Sequence, residues 1–75
     1  MRTYTVVLDP DPDGGGYKVT VPALPGCVTH GATVEQCRDR TAEAIAVHLA
    51  GLSRDGQPIP DERDHPQLLT VSVAS

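Results

Sequence analysis

The chain has 75 residues, with ten acidic and six basic side chains and a net charge of −4. That balance disfavours direct binding to a phosphate backbone, which requires clustered Lys and Arg, and it suits docking to a basic protein. The length allows one domain, residues 1–75, whose core is of marginal size.

Tyr4 and Tyr17 are the only aromatic residues. The core is therefore expected to be Val, Leu, Ile and Ala, and single-stranded nucleic acid finds no stacking platform. A small aliphatic core gains stability from an oligomer interface or a partner, so a homodimer is expected. The N-terminal stretch turns acidic at Asp9 before any adequate apolar run forms, and no run approaches a membrane span. A cytoplasmic protein is expected, with Cys27 and Cys37 reduced and serving as small core residues.

Tyr4 to Leu8 alternates, with Tyr4, Val6 and Leu8 on one face and Thr5 and Val7 on the other. Tyr17 to Val21 alternates likewise, and the Asp-, Pro- and Gly-rich stretch between them predicts an antiparallel hairpin with a long tip. The face carrying Tyr4, Val6, Leu8, Tyr17, Val19 and Val21 is expected to cover a helix. Pro22 and Pro25 remove backbone donors, so the second strand must leave its ladder there. Gly26 and Gly31 permit sharp turns around a short strand, Cys27 to His30.

Thr33-Val34-Glu35-Gln36 fits a capping box, with the Thr33 hydroxyl accepting from the Gln36 amide and the Gln36 side chain reaching back to the Thr33 amide. The helix is predicted from Val34 to about Arg54. Val34, Cys37, Thr41, Ala44, Ile45, His48, Leu49 and Leu52 form its apolar stripe, and Glu35, Asp39, Arg40 and Glu43 the opposite side. Asp55-Gly56 ends it. Residues 57–66 read as a polar linker. Leu68 to Val73 reads as a last strand with Leu69, Val71 and Val73 on one face, able to join its own sheet or a neighbouring subunit.

Asp9-Pro10-Asp11-Pro12-Asp13-Gly14 matches the start of a calcium loop. Position twelve of that loop would be Thr20, where calcium needs a bidentate carboxylate, and the flanking elements are strands. The segment is better read as an acidic hairpin tip, and also as a contact for a basic partner. His30, His48 and His65 form no local metal motif, since zinc needs three or four ligands. No metal, cofactor or catalytic set is expected.

Four features in order carry a family resemblance: Gly14-Gly15-Gly16-Tyr17, Pro22-Ala23-Leu24-Pro25-Gly26-Cys27, Gly31-Ala32-Thr33 with Glu35, and Asp55-Gly56-Gln57-Pro58-Ile59-Pro60. Over roughly residues 4 to 60 the chain resembles HicB-type antitoxins. The resemblance implies an α+β fold: a small antiparallel sheet in the order β-β-β-α-β with one helix on one face, a partial ribonuclease H-like (RNase H-like) fold. It further implies an antitoxin of a type II pair that binds a small basic HicA-type, messenger-RNA-cleaving toxin. That toxin would have a double-stranded-RNA-binding-like fold and a catalytic histidine.

The surfaces expected to meet such a toxin are the acidic tip and exposed helix charges, namely Asp9, Asp11, Asp13, Glu35 and Asp39. A hydrolase of the ribonuclease H type needs converging carboxylates, and Asp9, Asp39 and Glu43 do not supply them from these positions. Many HicB antitoxins also carry a C-terminal DNA-binding module. With the sequence ending at Ser75, no basic recognition helix is expected and direct self-repression is not. The alternative is an orphan HicB-like binding module that holds another protein by its sheet edge or helix face.

Overall fold

A computed structural model describes residues 1–62 and 66–75. The expected roles of Arg63, Asp64 and His65 in the linker therefore lie outside the described residues. Three strands, β1 (Val7–Pro10), β2 (Tyr17–Thr20) and β3 (Val28–Gly31), precede one helix, α1 (Val34–Arg54). They form an antiparallel sheet in the order β1-β2-β3. The chain is thus α+β, with one helix on one face of a small sheet.

The register places Leu8 opposite Val19 and Val19 opposite Thr29. Residues directly opposite each other share a face, and this row lies under the helix, with Val19 fully buried. Val21, Leu24 and Cys27 form the core cluster, packed by Tyr4, Val6, Ala44, Ile45 and Leu49. The predicted helix-facing side of the hairpin is the observed one for Tyr4, Val6, Leu8, Val19 and Val21. Cys27 and Cys37 are free and buried. Loss of water around Cys27 holds its thiol above the ordinary value.

The strand ends differ from those read in the sequence. The first strand was expected at Tyr4 to Leu8 and lies three residues later at its start, including Asp9 and Pro10. Continuing the ladder backwards from Val7 opposite Thr20 would put Thr5 opposite Pro22. Pro22 has no amide to give, and Val21 has already turned away to donate to the Cys27 carbonyl at 3.3 Å. Thr5 instead donates its amide and hydroxyl to the Glu62 carboxylate at 2.7 and 2.8 Å. Pro10 is tolerated because β1 is an edge strand. β2 stops at Thr20, one residue short of the expected Val21, and β3 is shifted by one residue to Val28–Gly31.

The helix has the predicted ends. Thr33 is extended and its hydroxyl accepts from the Gln36 amide at 3.1 Å. The return bond differs by one residue, since the Gln36 side-chain oxygen accepts from the Ala32 amide at 2.7 Å and not from Thr33. At the far end the Gly56 amide reaches the Ser53 carbonyl and the Gln57 amide the Leu52 carbonyl. With Gly56 at φ 71°, this is a Schellman closure. Of the predicted stripe, Cys37 and Thr41 are buried, and Ala44, Ile45, His48, Leu49 and Leu52 are half-buried. Val34 is exposed instead, at the margin of the sheet.

The expected last strand, Leu68 to Val73, is not a strand in the single chain. Its alternation supplies an apolar face, but a strand also needs a paired edge, and residues 66–75 are exposed throughout. Residues 60 and 61 are better anchored. The Tyr4 hydroxyl donates to the Pro60 carbonyl at 2.6 Å, and Arg2 pairs with Asp61. Among the described residues no helix is long and apolar enough to cross a membrane.

Candidate partner-binding surfaces

The hairpin tip is built by Asp11. Its side-chain Oδ1 accepts from the amides of Asp13 at 3.0 Å and Gly14 at 3.1 Å. Its carbonyl accepts from Gly15 at 3.1 Å, and its own amide donates to the Gly16 carbonyl at 2.9 Å. This is an Asx-type turn, in which a short carboxylate replaces a backbone acceptor. The Gly14 and Asp13 amides hold the Asp11 carboxyl below its ordinary value. Its other oxygen lies 3.7 Å from His30 Nε2, whose ring nitrogen also approaches the Gly15 carbonyl at 3.1 Å.

The five acids singled out in the sequence thus separate into kinds. Asp11 is tied into the loop and shapes it. Asp13 stands exposed at the tip, and Asp9 is exposed on the outer face of the sheet, in the row of Lys18 and His30. Glu35 and Asp39 are exposed one turn apart on the helix. The helix start and the tip share one end of the molecule, because Gly16 abuts Gly31 and Ala32. That end therefore presents Asp13 and Glu35, with Glu35 in the first helical turn where negative charge is favoured. Among the described residues no three His, Cys, Asp or Glu side chains converge as a metal site would require.

Two grooves escaped the sequence reading. A single helix about 10 Å across cannot cover all three strands, so each flank of α1 leaves a trough beside a sheet edge. The trough beside β3, about 520 Å³, has walls that include Val28, Arg40, Glu43, Val47 and His48. Arg40 also reaches over to donate to the His30 carbonyl at 3.0 Å. The trough beside β1, about 320 Å³, is more apolar, with Val6, Leu8, Val34, Thr41 and Ile45 in its walls. The exposed Val47, off the predicted stripe, lies on the first groove. The exposed Val34 marks the second.

The comparison that decides the family is a match of residues 4–70 to the model described as "HicB_like antitoxin of bacterial toxin-antitoxin system". The chain belongs to the HicB-like antitoxin family. It is 41% identical over 68 residues to a UPF0150 protein of Thermoplasma acidophilum, covering 91% of this chain and 94% of that one. It is 39% identical over 62 residues to a UPF0150 protein of Synechocystis sp., covering 83% and 77%. A UPF0150 protein of Archaeoglobus fulgidus is 39% identical over 46 residues, covering 61% and 65%. The family match spans the acidic tip, the helix and the anchored segment around Glu62. Membership suggests a regulatory protein with a toxin partner.

Proposed function

We propose that this HicB-like chain is the cytoplasmic antitoxin of a type II pair, and that it inhibits a small basic HicA-type toxin that cleaves messenger RNA. The observation that carries the reading is the family match over residues 4–70. The net charge of −4 supports it, because a protein that binds RNA is basic and complementary charge speeds encounter.

In this reading the toxin meets the end of the molecule that carries the tip and the helix start. Asp13 and Glu35 make the primary contacts, with Asp9 and Asp39 on the flanks. Asp11 acts by holding the loop in shape. The protein itself contributes no catalytic step. It acts by occupying the toxin's basic RNA-binding surface, so that substrate and antitoxin compete. The sheet is read as a reduced relative of the ribonuclease H-like fold without that fold's carboxylate chemistry.

The test is a titration of a small basic protein encoded beside this gene, where one is present, with RNA cleavage as the readout. Stoichiometric loss of cleavage on complex formation is expected. Asp13→Lys and Glu35→Lys are each expected to slow association, most strongly at low salt, as charges at the edge of an interface do. A neighbour that fails to bind, or that cleaves RNA equally well when bound, would sink the proposal and leave a binding module for another protein.

A further inference from the structure

The groove beside β1 and the C-terminal segment are complementary and, in the single chain, both bare. β1 pairs only with β2 among the described residues, so its outer edge presents unpaired backbone groups. Beside that edge lies the apolar trough walled by Val6, Leu8, Val34 and Ile45. The segment Pro66–Ser75 has no charged side chain. It carries Leu69, Val71 and Val73 at period two, 79%, 69% and 80% exposed. An uncapped strand edge and an uncovered apolar strand-forming segment are each liabilities that folded proteins normally remove.

The segment does not fold back on its own sheet. A compact chain of this length has a radius of gyration of about 11 Å, whereas this one has 14.4 Å and a longest extent of 50 Å. The 21-residue helix accounts for only about 31 Å of that extent, so the segment stands off the body. Four residues before the segment, Glu62 is held to Thr5, which is next in the chain to Val6 of the groove wall.

We propose that two copies exchange this segment. Leu68–Val73 of each chain adds as a fourth strand to the free edge of β1 in the other, with Leu69, Val71 and Val73 filling the β1–α1 groove. The arrangement is reciprocal, so one two-fold axis closes it and leaves neither segment nor groove exposed. Arg38 on the groove rim disfavours a basic protein as the occupant and is indifferent to an uncharged strand. The proposal does not rest on toxin inhibition: the groove shares Val34 and Arg38 with the helix start, but neither Asp13 nor Glu35 lines it.

The experiment is sedimentation equilibrium of the full chain, with Val71→Asp and Ala42→Arg as variants. Both positions are exposed in the single chain, so both variants keep the helical circular dichroism signal. The expected result is a native mass of twice 7.9 kDa. Each variant raises the dimer dissociation constant by about tenfold or more, since each sets a charge in an apolar seam. Isotope-filtered nuclear Overhauser spectra of a mixed labelled and unlabelled sample then show contacts between the Val71 methyls of one chain and Leu8 of the other. A native monomer would overturn the proposal, as would a dimer indifferent to both variants. Val71–Leu8 contacts found only within one chain would overturn it too.

Discussion

Gly31 is the seat of the helix: a Cβ placed on it would lie 2.7 Å from Cys37 Sγ, 2.9 Å from the Cys37 amide nitrogen and 3.0 Å from its Cα. β3 therefore ends directly against the first turn of α1, and the absence of a side chain sets that approach. Gly31→Ala is expected to destabilise the chain by about 1–3 kcal/mol, the usual cost of overpacking a filled site. Cys37→Ala should not rescue it, because two of the three close contacts are to backbone. Urea unfolding of the single and double variants checks this, and full rescue by Cys37→Ala would mean that only the sulfur sets the distance.

Gly16 and Gly15 separate conformation from packing at the hairpin tip. Both have positive φ, 69° and 73°. A Cβ on Gly15 meets nothing within 4 Å, whereas one on Gly16 would lie 2.4 Å from the Gly31 carbonyl oxygen. Gly15→Ala is expected to cost about 1–2 kcal/mol, the left-handed penalty alone. Gly16→Ala carries the same penalty and must also push the tip away from the helix start. Thermal unfolding should therefore rank Gly16→Ala clearly below Gly15→Ala, and equal losses would contradict the close packing of the tip on Gly31.

The contrast between these glycines explains what was legible in the sequence. The helix could be placed from Val34 to Arg54 because both of its ends are written locally, in Thr33 and in Asp55-Gly56. The start of β1 could not, because it depends on Pro22 in the partner strand, a pairwise property that no single strand pattern displays. The acidic tip was visible as a cluster. The different role of Asp11 was not, since it depends on loop closure turning one carboxylate inward while Asp13 faces water. The two grooves follow from the width of one helix on three strands, and no residue pattern encodes that directly.

The cap at the helix start offers a graded test. Thr33 and Gln36 each satisfy one backbone amide, those of Gln36 and Ala32 respectively. Thr33→Ala is expected to cost about 1 kcal/mol, as for other capping residues. Thr33→Ser should cost little, because the accepting oxygen remains. Gln36→Glu keeps an acceptor for Ala32 and adds negative charge in the first turn, so it should be neutral or stabilising at pH 7. Urea unfolding of the three variants checks the order, and a Thr33→Ala variant as stable as the native chain would show that the hydroxyl contributes nothing.

Asp11 gives the tip a pH dependence of known sign. Its carboxyl is held below the ordinary value of 3.8 by the Gly14 and then the Asp13 amide. A group with a depressed folded pKa contributes its full stabilisation above its unfolded value and loses it as pH falls through the folded one. The tip is therefore expected to stay ordered through neutral and mildly acidic pH, and to loosen only below the ordinary carboxylate range. The Gly14 and Asp13 amide shifts should move together in that window. In Asp11→Asn the amide oxygen still accepts both bonds but does not titrate there, so the loop should persist while the transition at Gly14 disappears. Asp11→Ala should instead free both amides at every pH and speed their hydrogen exchange. An unchanged Gly14 transition in Asp11→Asn would assign the titration to another group and remove Asp11 as the organiser of the tip.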